Sequence, residues 1–269
     1  MAKGKSRLDD LLVERGLAED RDTAQRRIMA GDVLVDDQTI TQPATRVPAS
    51  AAVRLKDRPR FASRGGEKLA AALERFSIDL EGLVCVDVGA STGGFTDCLL
   101  QAGAARVYAI DVGYGQLVWE LRQDERVVVM DRVNARYLDA LPEPVHFVSI
   151  DVSFISLRLI LPPVRRWLAP GGEIVALVKP QFEAAREDVE PGGVVREPAV
   201  HRQVLQEAVA HARRAAFAVK GLMASPLPGP AGNVEFLLWA QGVDETVQAG
   251  EPDAASLIEQ ALAEARHLL

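Results

Sequence analysis

The sequence predicts an α/β fold with a mainly parallel, seven-stranded sheet, preceded by a small α+β domain. Three observations predict it. Between residues 64 and 240, apolar runs alternate with amphipathic segments of helical period, the βαβ pattern of a parallel sheet. The first run, Leu83 to Val88, ends in Gly89-Ala90-Ser91-Thr92-Gly93-Gly94 before an amphipathic segment opens near Phe95. A strand, glycine turn and helix in that order bring backbone N–H groups against a nucleotide-like ligand. Residues 1–57 differ: two short helical segments and a few small strands fill them.

In that first part, Arg7 to Gly16 has apolar residues at helical spacing and a glycine stop. Asp22 is the predicted N-cap of a second helix running to Ala30, and Gly31 ends it. Val33 and Val35, an Asp36-Asp37 turn and Ile40 predict a hairpin, and Val53 to Lys56 a closing strand. The polar, proline-containing stretch at residues 58–63 is the predicted linker, leaving 64–269 as the second domain. There, strands are predicted at 84–88, 106–110, 127–130, 145–150 and 173–178, and helices near 66–76, 95–102, 116–122, 157–168 and 198–215. Ala218 to Met223 and Asn233 to Ala240, joined by the Pro/Gly-rich residues 225–232, predict an antiparallel pair at one sheet edge. A last helix is predicted from Ala254 to Leu268.

Composition narrows the function class. The 269 residues are 48% hydrophobic and 26% charged, which is ordinary for a soluble globular protein. No run of membrane-spanning length occurs, and Met1-Ala2-Lys3-Gly4-Lys5 lacks a signal-peptide core, so a cytoplasmic location with no membrane partner is expected. Cys85 and Cys98 have no C-x-x-C partner, and the histidines at 146, 201, 211 and 267 show no metal-ligand spacing, so no metal site is expected. The net charge of −7 is unevenly divided. Residues 1–68 carry 14 Lys+Arg against 11 Asp+Glu, net +3, and the remainder is net −10. A basic head on an acidic body suggests that the head engages a polyanion.

The glycine turn does not follow G-x-G-x-x-G, which disfavours a nicotinamide cofactor. S-adenosylmethionine, with a ribose but no pyrophosphate, fits better. About twenty residues after the glycines, Asp111 ends the second strand, where an acid suits hydrogen bonding to ribose hydroxyls. Predicted cofactor contacts are Asp87, Gly89, Ala90, Ser91, Gly93, Gly94, Phe95, Asp111, Val112 and Asp151.

Four residues are predicted to carry chemistry. Asp151 ends the fourth strand, Lys179 ends the fifth before Pro180, and Glu235 opens an antiparallel strand at the carboxyl edge of the parallel ones. Lys68, at the start of the preceding helix, joins them if that helix packs there. Strand-end acids are also common caps and strand-end lysines are commonly solvated, but two of each in one cleft suits methyl transfer to a ribose 2′-hydroxyl. That hydroxyl is a poor nucleophile and needs orientation and a proton acceptor. Lys179 is the expected base, Lys68 orients the ribose oxygen, and Asp151 and Glu235 hold the ammonium groups. Asp151-Val152-Ser153-Phe154 is not the Asn/Asp-Pro-Pro-Tyr/Phe of amine methylation.

Gly31-Asp32-Val33-Leu34-Val35-Asp36 resembles the core of an RNA-binding module named after a small-subunit ribosomal protein. Gly89 to Thr96, Asp111 to Leu117, Asp151 to Leu157, Val178 to Glu183, Ser225 to Pro230, Asn233 to Glu235 and Ser63 to Lys68 together resemble the TlyA (hemolysin A) family. The resemblance implies the class I (Rossmann-like) methyltransferase sheet and 2′-O-methylation of cytidine in ribosomal RNA with S-adenosylmethionine. It places a K-D-K-E tetrad on Lys68, Asp151, Lys179 and Glu235, and an adenosine contact on Asp131, where the family has Glu. Arg7, Arg26, Arg27, Arg60, Arg64, Arg132, Arg136 and Arg186 are candidate RNA contacts, with surface ion pairs as the alternative. The partner would be ribosomal RNA in the small or large subunit, or both. A pore-forming haemolysin, a non-catalytic RNA-binding homologue and a pseudouridine synthase are the competing readings.

Overall fold

The structure is a computed structural model that describes residues 4–56, 59–243 and 252–267. Met1-Ala2-Lys3, the linker positions Asp57 and Arg58, and Leu268 at the end of the predicted last helix lie outside the described residues. The chain divides into two compact units, Met1–Pro59 and Arg60–Leu269.

In the first unit, α1 (Leu8–Glu14) and α2 (Arg21–Met29) pack over two small sheets. One is the pair β1 (Lys5–Arg7) and β4 (Arg46–Pro48); the other has the order β3 (Gln38–Thr39), β2 (Val33–Val35), β5 (Val53–Leu55). The N-cap of α2 is Asp20, not the predicted Asp22, because its side chain accepts the Thr23 N–H at 2.7 Å. Asp36 and Asp37, at φ +48° and +66°, make the tight turn of the β2–β3 hairpin. Leu8, Leu12, Ala24, Ile28 and Val33 form its fully buried core.

The second unit opens with residues 60–63, predicted as linker but packed into this body. Phe61 is buried beside Gly66, where any side chain would collide with its ring. The Ala62 N–H donates to Asp97 at 2.8 Å. Next come α3 (Gly65–Phe76), β6 (Val84–Val88), α4 (Gly94–Gln101), β7 (Arg106–Asp111), α5 (Trp119–Arg122), β8 (Val127–Asp131) and β9 (Val145–Ile150). They are followed by α6 (Leu161–Trp167), β10 (Leu168–Val178), α7 (Pro180–Glu183), α8 (Pro198–Arg214), β11 (Phe217–Ala224), β12 (Phe236–Gly242) and α9 (Ala254–Ala265).

The described residues form a seven-stranded sheet of order β11-β12-β10-β9-β6-β7-β8. β6 to β10 run parallel, and β12 lies antiparallel between β10 and β11. Strand order reverses at β6, whose neighbours are β7 and β9, so a crevice opens at its carboxyl end. Because β12 is antiparallel and Phe236 pairs with Val178, Glu235 stands beside the end of β10. Apolar layers cover both faces of the sheet, one beneath α6, α8 and α9 and one beneath α3 and α4. No described helix is long and apolar enough to cross a membrane.

Candidate active site

Two adjoining cavities open at the carboxyl ends of β6, β7 and β9. The larger, about 470 Å³, is walled by Gly89 and Ser91 after β6, Asp111 and Val112 at β7, Val133 to Ala135 after β8, and Asp151 to Ile155 after β9. The smaller, about 240 Å³, is walled by Arg64 and Lys68 of the α3 region, Ala90, Gly94, Phe95, Lys179 and Glu235. The two share Gly89, Ser91 and Asp151.

The glycine turn is shaped by the backbone it touches. Gly89 has φ +88°, and a Cβ there would collide with the Asp151 carbonyl, so only glycine lets the ends of β6 and β9 approach. Asp111 holds the turn from the other side: its Oδ2 accepts the Ser91 N–H at 2.8 Å and its Oδ1 the Gly113 N–H at 2.7 Å. Each oxygen keeps a second lone pair for a ligand hydroxyl. A cavity of this size with two carboxylates, Asp111 and Asp151, and Val112, Val133 and Ile155 walls fits a nucleoside-like cofactor.

The four predicted chemical residues meet on the smaller cavity. Lys68 and Glu235 form a buried ion pair, Nζ to Oε2 at 2.5 Å. Glu235 Oε1 faces the Gln181 side-chain Nε2 at 3.3 Å. Lys179 Nζ lies 2.6 Å from Asp151 Oδ1, an ionic contact without the alignment of a hydrogen bond, and donates to Ser153 Oγ at 3.0 Å. The site therefore consists of two ion pairs, one sealed and one at the mouth.

Three predicted cofactor residues lie off both walls. Asp87 is fully buried, with Thr96 Oγ1 donating to it at 2.7 Å. Burial pushes its carboxyl up to about 7; the Thr96 bond opposes the shift and the Asp151 charge adds to it. Gly93 makes room for the side chains of Leu117 and Leu121. Asp131 accepts from Arg122 at 3.0 Å and from the Gly115 N–H at 3.2 Å, tying two loops together; Val133 and Asn134 take the wall position expected of it.

Of the predicted RNA contacts, Arg64 lines the smaller cavity. Arg132 stacks on Tyr114 at 4.4 Å, Arg136 on Tyr137 at 5.2 Å and Arg60 on Phe61 at 4.7 Å. Arg186 and Arg26 are exposed, Arg27 is half-buried, and Arg7 is paired to the buried Asp9 at 2.7 Å. The guanidinium beside it holds Asp9 well below the usual carboxylate range.

Sequence reasoning missed several residues. Phe154, 90% exposed at the cavity mouth with φ +62°, holds its ring 4.9 Å from Phe182. A large apolar side chain in a left-handed backbone conformation and open to water is strained twice over, in backbone and in exposure. Tyr114, Trp119 and Tyr137 are also exposed. Glu183 accepts the Leu157 N–H at 2.7 Å and the Ser156 hydroxyl at 2.6 Å, bracing the loop that carries Phe154. An aromatic inside Asp151-Val152-Ser153-Phe154 was the available signal.

Comparison with known proteins shows the family and the domains. The FtsJ-like methyltransferase family matches residues 61–242 and the S4 domain residues 6–53. The 16S/23S rRNA (cytidine-2′-O)-methyltransferase TlyA of Mycobacterium tuberculosis is 47% identical over 87% of this chain and 89% of its own length. Hemolysin A of Brachyspira hyodysenteriae is 40% identical over 86% of this chain and 98% of its own. A solved structure from Streptococcus thermophilus, provisionally assigned as a hemolysin, superposes with a TM-score of 0.73 at 43% identity over 99% of this chain and 98% of that one. With its S4 domain, methyltransferase sheet and near full-length relatives, the chain belongs to the TlyA/hemolysin A family of FtsJ-like methyltransferases.

Proposed function

We propose that the protein is an S-adenosylmethionine-dependent 2′-O-methyltransferase acting on cytidine ribose in ribosomal RNA of the small subunit, the large subunit or both. The observation that carries this is the meeting of Lys68, Asp151, Lys179 and Glu235 on a cavity that shares a wall with the nucleoside-sized one. Asp111, Val112 and the backbone of Gly89 to Ser91 would hold the cofactor, which supplies an electrophilic methyl on a sulfonium. Once its ammonium has given a proton to water, Lys179 would accept the 2′-hydroxyl proton while the ribose oxygen takes the methyl group and the cofactor leaves as the neutral thioether. Asp151 and Ser153 keep the Lys179 nitrogen in place. Lys68, fixed by Glu235, donates to the ribose oxygen and sets its approach. Positive charge on the sulfonium is lost along the way, so the site's main work is alignment.

Arg64, Arg132, Arg136 and Arg186, with Arg7, Arg26, Arg27 and Arg60, would contact RNA phosphates, and Phe154 presents a face on which an unstacked base can rest. With ribosomal subunits as substrate, the protein acts in the cytoplasm. The test is transfer of tritiated methyl to purified small and large subunits, followed by nucleoside mapping. Label on a cytidine 2′-oxygen supports the reading; label on a base, or none, overturns it. Dye leakage from liposomes by RNA-free protein would instead favour the pore-forming alternative.

A further inference from the structure

We infer that Gln181 is a positioning residue for the reaction, its side-chain amide locking the Glu235 carboxylate so that Lys68 is held at one point in the cavity. The inference rests on the proposed function and deepens it. Gln181 is the second residue of the four-residue α7, which begins straight after Lys179, so one rigid turn carries the proposed base and this amide. Its Nε2 lies 3.3 Å from Glu235 Oε1, while Glu235 Oε2 is committed to Lys68 at 2.5 Å. The loop of Gly229 closes the same oxygen from the other side, since a Cβ on Gly229 would strike Oε1.

The unpaired end of the amide supports this assignment. Gln181 Oε1 is buried without a hydrogen-bond partner. Turning the amide over would set Oε1 against a carboxylate oxygen, two acceptors facing each other. The N–H₂ end is thus fixed toward Glu235, and the stranded carbonyl is the cost of that orientation. Buried unpaired polar groups of this kind call for such an explanation. Without the amide, Glu235 keeps its charge partner but loses the contact that stops it from rotating, and Lys68 moves with it.

The amide itself meets Glu235, and the charged groups on the adjoining cavity and on α7 are Lys68 on α3, Lys179 before α7, Asp151 after β9 and Glu183 at the end of α7. Their arrangement makes the test specific. Q181L should lower kcat for methyl transfer about ten- to a hundredfold, the worth of a hydrogen bond to a charged group. KM for ribosomal subunits and S-adenosylmethionine affinity by calorimetry should stay within about twofold of wild type. Q181E supplies a conservative rescue with its own signature. Its neutral carboxyl can donate to Glu235 as the amide does, but once ionised it repels Glu235. Q181E activity, relative to wild type, should therefore fall as pH rises, whereas the Q181L deficit should be the same at each pH.

A Q181L enzyme with wild-type kcat overturns the inference, and so does a Q181E to wild-type ratio that does not change with pH. If Q181L does not fold, the Q181E pH profile decides alone. Absence of methyl transfer by wild type refutes the parent reading, and this inference with it. Active wild type with indifferent variants refutes the inference alone.

Discussion

Lys179 and Lys68 stand in different electrostatic settings, and that separates their expected phenotypes. The Lys179 side chain is 11% exposed and its partner Asp151 25%, so water can replace a lost contact there. Lys179→Ala should reduce methyl transfer by at least about a hundredfold, the usual worth of a proton acceptor, with S-adenosylmethionine binding nearly intact. Parallel loss of both activities would refute its role as base. Glu235→Ala instead strands a buried ammonium and should cost about 3 to 5 kcal/mol of stability, read as a drop in the urea midpoint. Asp87 gives a third, pH-dependent expectation. Its carboxyl ionises near 7 when folded against about 3.9 when unfolded. Between those values the folded state holds more protons, so this group makes stability fall as pH rises. Asp87→Asn should flatten that slope in urea titrations at pH values between about 4 and 7; an unchanged slope there would remove Asp87 as its source.

At the scale of elements, α2 presents exposed Arg26 and half-buried Arg27 in its last turn, where cations also suit the helix dipole. Replacing both with alanine should weaken RNA binding and reduce the slope of log affinity against log salt by about one to two; an identical slope would take this face out of the interface. How far such elements could be read from sequence depended on their length. β6, β7 and β9 were legible because continuous apolar runs mark strands buried on both faces, and β8, a partly exposed edge strand, because Val127 to Met130 is an unbroken apolar run. β1 and β4 were not: each has three residues, Lys5-Ser6-Arg7 and Arg46-Val47-Pro48, too short and polar to alternate. β10 begins at Leu168, earlier than predicted, because the chain passes through Pro170-Gly171-Gly172 with a register shift before Glu173. The predicted 157–168 helix is a 3₁₀ turn, Leu157–Leu159, followed by α6, where Pro162 and Pro163 enter the first helical turn. At the site, strand-end charges announced themselves, since topology alone carries strand ends to one edge. Gln181, Phe154 and the Asn134 wall did not, because their roles exist only through partners distant in sequence.

At the scale of the whole molecule, the two units differ in charge. The first unit, Met1–Pro59, carries 11 Lys+Arg against 10 Asp+Glu, net +1, and the second carries 20 against 28, net −8, so the acidic body alone gains little from a polyanionic substrate. The body nevertheless has apolar clusters of its own. Its two apolar layers close without residues 1–59, and its first residues are pinned internally by buried Phe61, the Ala62–Asp97 bond and a bond from Gln101 Nε2 to the Arg60 carbonyl at 2.9 Å. A fragment comprising Arg60–Leu269 should therefore melt cooperatively and bind S-adenosylmethionine about as tightly as the full chain. Its transfer of tritiated methyl to ribosomal subunits should fall at least about tenfold, and lowering the salt should recover less activity than it does for the full chain, because the fragment has lost phosphate contacts whose strength grows as counterions are diluted. A fragment that methylates subunits as fast as the full chain would show that the head contributes no binding energy to the reaction, and the charge division would then have no part in substrate capture.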